Sequence, residues 1–140
     1  MVPLRLNSLA EPRPITPVSP QAFAYLNLLR AKAMECRTKP RADLFHACAL
    51  LQVTRAASRD AHAEALVRCL DEALGKRARL HAPSTIEMTF DESWLIELGQ
   101  AAVRDDNASL NFLLCSRILP EHRRLIRFLV GRISECFSLA

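Results

Sequence analysis

The chain reads as an all-α protein, a compact bundle of five to six helices behind a proline-rich, extended N-terminal arm. Three observations predict this. Only 3 of its 140 residues are glycine, while alanine, leucine and arginine, which lose little freedom on entering a helix, dominate. Apolar side chains recur at every third or fourth place, the period of one helical face. Start and stop residues stand at the joints between those runs. Half the residues are apolar, and a chain of this length can bury a hydrophobic core without disulfides or metals.

Residues 1–18 form the arm. Pro3, Pro12, Pro14 and Pro17 remove amide donors and force their predecessors towards extended backbone. Val2, Leu4, Leu6, Leu9, Ile15 and Val18 suit either a strap along the body or a loose tail. Residues 19–140 are expected to form a single helical domain. Ser19 caps its first helix and Pro20 takes the first helical position, with Phe23, Leu26, Leu29, Ala33 and Cys36 inward. Pro40 opens a second helix bearing Leu44, Ala47, Cys48, Leu51 and Ala56. Ser58 caps a third, whose Ala61, Ala65, Leu66, Cys69, Leu70 and Leu74 end at Gly75, a residue suited to the left-handed closing position.

Residues 76–89 break the pattern. Ile86, Met88 and Phe90 alternate with polar residues there, the period of a strand. One strand is not stable alone. The expected form is an extended connector that tucks these three side chains into the core, with pairing to the arm or to a second chain as the other use. Thr89 and Glu92 then make a capping box, with Asp91 as a competing cap. Trp94, Leu95, Leu98, Ala101 and Ala102 form the apolar side of the helix that follows. Asn107 caps a shorter one with Leu110, Leu113, Leu114 and Ile118, and Pro120 restarts the chain as the last helix.

That last helix carries the main candidate site. On a helical wheel Leu125, Ile126, Leu129, Val130, Ile133, Cys136 and Phe137 fall in one arc of about 140°. Arg123, Arg124 and Arg127 cluster away from it with Phe128 beside them, and His122 precedes them. Cations conflict with the positive end of a helix dipole, but only by ~0.3–1 kcal/mol each at a surface. Burying each large apolar side chain contributes about 1.5–3 kcal/mol, so the core holds the helix regardless. An aromatic ring among guanidinium groups has the composition of a protein-interface anchor, and solvation with Phe128 packed under a neighbour is the plainer use. A secondary basic patch, Lys76, Arg77 and Arg79 with His81 beside it, follows the third helix.

The reactive groups do not assemble locally. The five cysteines, Cys36, Cys48, Cys69, Cys115 and Cys136, contain no CxxC pair and are expected to be reduced core residues. With no targeting or membrane-spanning segment, they point to the cytoplasm. Asp43 and His46 have the spacing of a carboxylate–histidine metal pair, but a di-iron bundle needs a second copy, and none is present. No glycine-rich phosphate loop occurs. His46 with Cys48, and His62 with Cys69, are badly spaced for nucleophile and base. No catalytic residue, metal or cofactor is assigned.

A net charge of +4 is modest. Asp105 and Asp106, with nine glutamates, dilute the field, and aromatic residues are too few to stack single-stranded bases. A helix-turn-helix across residues 95–117 lacks a glycine in its turn and a groove-reading second helix. The sequence therefore predicts a non-catalytic protein, adaptor or regulatory, acting through an unknown protein partner and able to form a homodimer, with no membrane partner. A nucleic-acid-associated regulator using the basic last helix, and a small-ligand or metal-binding helical enzyme, are the alternatives.

Overall fold

The structure, a computed structural model, describes residues 18–38 and 55–139. Helix α1 runs over Pro20–Thr38, α2 over Arg55–Leu74, α3 over Phe90–Val103 and α4 over Asn107–Arg117. A 3-10 turn at Pro120–His122 leads into α5, Arg123–Phe137. Among the described residues there is no strand. The expected all-α bundle is what the chain forms. The arm up to Pro17 and the second predicted helix as far as residue 54, with Asp43, His46 and Cys48, lie outside the described residues; Ala56, assigned to that helix, belongs to α2. Val18, the last residue of the arm, packs against the core.

Helix α1 starts as its sequence asks, the Ser19 hydroxyl accepting the Ala22 amide at 3.1 Å. Its inward face is turned from the expected one. Ala22, Tyr25, Leu26, Leu29 and Arg30 are buried, while Phe23, Ala33 and Cys36 are only half-buried. Two side chains with polar tips can be interior because both tips find partners; the Tyr25 hydroxyl donates to the Leu95 carbonyl at 3.0 Å.

Helix α2 buries Ala61, Ala63, Leu66, Leu70 and Ala73, with Ala65, Cys69 and Leu74 at its margins. Ser58 lies inside the helix rather than capping it, and its carbonyl meets His62 Nδ1 at 2.7 Å. Gly75 closes α2 as expected, with φ at +75°. The amides of Gly75 and Lys76 return to the carbonyls of Glu72 and Asp71, at 3.2 Å each, the double bond of a Schellman end.

The capping box of α3 is formed. Thr89 Oγ1 accepts the Glu92 amide at 3.0 Å, and Glu92 Oε1 accepts the Thr89 amide at 2.9 Å. Asp91, the competing cap, is used elsewhere. Between α3 and α4, Asp105 takes the left-handed conformation, φ 55°, which aspartate tolerates better than most residues. Asp106 caps α4, not Asn107, and accepts the Ser109 amide at 3.1 Å.

Helix α5 touches all four others and is the centre of the bundle. It buries Ile126, Leu129, Val130, Ile133 and Ser134, a face rotated towards Arg123 from the predicted arc. Leu125 consequently stands 43% exposed, and Cys136 and Phe137 are half-buried. Ser134 is admitted because its hydroxyl donates to the Val130 carbonyl at 2.7 Å. Ser138, in the left-handed region, then folds Leu139 back into full burial.

Two further expectations are corrected. Of the three connector side chains expected to tuck inward only Met88 packs on the core; Ile86 and Phe90 are exposed. The connector turns its carbonyls inward to a buried arginine, which points those side chains at solvent. The four described cysteines are free but not in the core: Cys36, Cys69 and Cys136 are half-buried and Cys115 is exposed. Among the described residues no helix is long and apolar enough to cross a membrane.

Candidate functional site

The organising interaction is a buried ion pair absent from the sequence reading. Arg30 Nε and Nη2 donate to the two oxygens of Glu92 at 2.9 and 3.0 Å, with both side chains fully buried. Arg30 also donates to the carbonyls of Thr85 (2.7 Å) and Glu87 (3.0 Å) and to Asn27 Oδ1 (3.2 Å). Glu92 accepts in addition from the His81 amide at 2.6 Å. Every strong donor and acceptor of the pair is thus used, which a charge pair removed from water requires. Burial pushes the Glu92 carboxyl up, but Arg30 and the two amides outweigh it and hold it below its ordinary value.

Around this pair the loop from Lys76 to Thr89 is fastened by its backbone. Asp71 Oδ1 accepts the Ala78 amide at 2.8 Å, and Asp91 Oδ2 accepts the Arg79 amide at 2.7 Å. The Ser84 amide reaches Asn27 Oδ1 at 3.0 Å, and the Thr89 hydroxyl donates to the Arg79 carbonyl at 2.6 Å. Asp91 also takes Arg117 Nη2 at 2.6 Å, and the Arg117 guanidinium lies 5.0 Å from the ring centroids of both Phe90 and Trp94. Burial opposes ionisation of Asp91, yet the Arg79 amide and Arg117 keep its carboxyl below the ordinary value.

The outcome is a separation of charge. Three carboxylates are spent on loop amides, while Lys76, Arg77 and Arg79 point outward and are exposed. The loop and Arg37, in the last turn of α1, line an open groove of about 650 Å³ together with His81 and Thr89. The secondary basic patch is therefore gathered with an arginine from a distant stretch of sequence.

The primary patch is divided. Arg127 donates to Asn107 Oδ1 at 2.7 Å and to Asn111 Oδ1 at 3.1 Å, tying α5 to α4. Arg123 Nε donates to the Ile118 carbonyl at 2.9 Å, which closes the turn before α5. This resolves the conflict of a basic helix start, since that guanidinium serves an orphan carbonyl. Arg124 is exposed, and Phe128 stands 54% exposed with one edge on His62, the ring centroids 5.6 Å apart. The imidazole beneath it is buried, and desolvation lowers its basicity, helped by Arg132 against the Ser58 carbonyl.

On α5 the free outer face carries Arg124, Leu125, Phe128, Arg132 and Glu135. Sequence reasoning found Arg124 and Phe128 on this face and missed Leu125. It missed Arg37 because nothing in a linear pattern relates the end of α1 to residues 76–79. Ile86 stands 64% exposed and Phe90 74%, with no strand pairing. Among the described residues no cluster of three or more metal-ligating side chains occurs. Comparison with protein-family models, with curated proteins and with solved structures finds no match for this chain.

Proposed function

We propose that the protein is a non-catalytic interaction protein, adaptor or regulatory, working through the outer face of α5, and that a second copy of the chain occupies that face. The observation that carries this reading is the exposure of Phe128 and Leu125 on a helix whose opposite face is fully buried core. Exposed aromatic and aliphatic side chains flanked by arginine are the usual composition of an interface centre.

The face is self-complementary. Arg124, Phe128, Gly131 and Glu135 follow one another at spacings of four, three and four, a single stripe along the helix. Two copies of α5 packed antiparallel set Arg124 against the partner's Glu135 and Phe128 against the partner's Gly131. Gly131 has no heavy atom within 4 Å of where a Cβ would stand, so the surface there is open to a ring. Glu135 already meets Arg132 at 3.4 Å, but an exposed pair of that kind is weak and exchanges readily. A single face of a 15-residue helix is smaller than the ~800 Å² per partner of a standard interface, so association in the micromolar range is expected.

The non-catalytic part of the reading is supported by how the reactive groups are used. Asp91 and Glu92 hold the loop, and His62 is bonded to Ser58 and covered by Phe128. Free thiols on a protein of this kind suit the reducing cytoplasm.

Light scattering after size exclusion, over a range of concentrations, tests the reading. The wild-type chain should pass from monomer to dimer. Phe128→Ala and Arg124→Glu should each stay monomeric with helicity unchanged, and Arg124→Glu combined with Glu135→Arg should recover dimer. A wild-type protein that remains monomeric up to about 1 mM overturns it.

A further inference from the structure

We infer that the basic groove between the end of α1 and the Lys76–His81 loop is a binding site for a small polyphosphate-bearing ligand. The inference is independent of the α5 face and uses none of its residues. Arg37, Lys76, Arg77 and Arg79 bring four positive side chains to one concavity, with His81 and Thr89 completing its wall. Among the described residues that wall contains no carboxylate. None of those four cations forms an ion pair with an acid of the described chain.

The reason for this imbalance lies underneath. Asp71, Asp91 and Glu92 would be the natural partners of the loop cations. Instead they accept the amides of Ala78, Arg79 and His81, while Arg117 and Arg30 neutralise Asp91 and Glu92 from within. The acids hold the backbone, and the four cations are left in the groove without an ion-pair partner among the described residues. A loop fastened by so many bonds loses little further freedom on binding, which favours affinity.

Three features set the ligand class. Guanidinium forks match the paired oxygens of phosphate better than a point charge does, and three of the four cations are arginine. Four cations in one groove exceed what a single phosphate neutralises, which favours two or three linked phosphates. The groove adjoins a smaller hollow of about 250 Å³ that shares Arg37, Arg77, Ala78 and Leu80 with it and adds Cys36, Val67, Arg68 and Asp71. That hollow, with the Asp71 carboxylate and Arg68 beside apolar Val67 and Leu80, gives a polar remainder of the ligand a place beside the phosphates. A nucleic-acid strand would need a longer basic track, and Arg123 and Arg127 are already committed to intramolecular bonds.

Isothermal titration of the full chain with tripolyphosphate at physiological salt tests the site, with sulfate as the control anion. Saturable one-to-one binding is expected, with sulfate much weaker. Arg77→Ala or Arg79→Ala should each weaken it about tenfold or more, the usual loss for a charged hydrogen bond. Both side chains are exposed, so circular dichroism should be unchanged; Arg104→Ala, an exposed arginine at the far end of α3 from Thr89, should bind as the wild type does. The inference fails if tripolyphosphate gives no saturable binding, or if Arg104→Ala weakens it as much as Arg77→Ala does, which would mean diffuse charge alone. It fails equally if a single-stranded RNA oligonucleotide binds far more tightly than tripolyphosphate, with affinity growing with length, because the site would then be a strand track.

Discussion

Gly99 shows how closely the interior is fitted at the level of one atom. It sits in the middle of α3, where alanine would ordinarily be favoured by up to ~1 kcal/mol. A Cβ built there would stand 2.9 Å from Leu139 Cδ1 and 3.1 Å from both Cζ and the hydroxyl of Tyr25. Leu139 is flexible, but Tyr25 is pinned by its bond to Leu95 and by edge-to-face contact with Phe137 at 6.1 Å. Overpacking therefore outweighs propensity, and Gly99→Ala should destabilise the protein by about 1–3 kcal/mol, read as a lower urea midpoint. Nothing in the run from Trp94 to Val103 announces this contact. It depends on Leu139, which follows a left-handed Ser138, and on a tyrosine placed by a different helix. The Arg30–Glu92 pair was hidden for the same reason: each residue looks like an ordinary surface charge until a fold separates both from water.

At the scale of elements, what could be read was what depends on neighbours along the chain. The Ser19 cap, the Thr89–Glu92 box and the closing Gly75 are local hydrogen-bond patterns, and all three are formed. Gly75 in particular has φ +75° and open space about it. The cost of a side chain there is one of backbone strain alone, so Gly75→Ala should lower stability by about 1–2 kcal/mol in chemical denaturation. Helix faces were legible only to within a few tens of degrees. In α5 the edge of the apolar arc, Leu125, is turned out and Ser134 is turned in, because a serine can return its hydroxyl to the preceding turn. The 76–90 connector was misread more deeply. Its alternating side chains suggested burial, whereas its carbonyls at Thr85 and Glu87 are what the interior holds. Of the candidate sites, the arginines of α5 were visible and their division between structure and surface was not. That division required Asn107 and Asn111 on the facing helix.

For the molecule as a whole, the titrating groups that the fold perturbs define a window of stability. Asp91 and Glu92 have folded carboxyls below their ordinary values of 3.8 and 4.5. A depressed folded value means stability that is present above the ordinary value and lost as pH falls through the folded one. His62, lowered from 6.5 by burial, acts in the same sense: it folds neutral, and acid must charge it. Tyr25 is opposite in sign. Burial raises it above 10.0, so its contribution is present below that pH and is lost on ionisation in strong alkali. The half-buried thiols of Cys36 and Cys69, raised above 9.0 by burial, act in the same sense as Tyr25 from a lower pH. Stability should accordingly be level between about pH 6.5 and 9, decline above that as these thiols and then Tyr25 become ionisable, begin to fall on the acid side as His62 becomes chargeable, and fall steeply below the carboxylate range. Urea midpoints measured from pH 2 to 11 test this. Glu92→Gln removes one titrating group while leaving Arg30 an amide oxygen to bond. It should be less stable than the wild type at pH 7, where an uncompensated buried arginine costs about 3–5 kcal/mol. The same variant should show a shallower acid limb, because the steepness belongs to a carboxylate it no longer has. An acid limb identical to that of the wild type would mean that the buried pair does not govern acid unfolding, and that the loop bearing the basic groove opens independently of it.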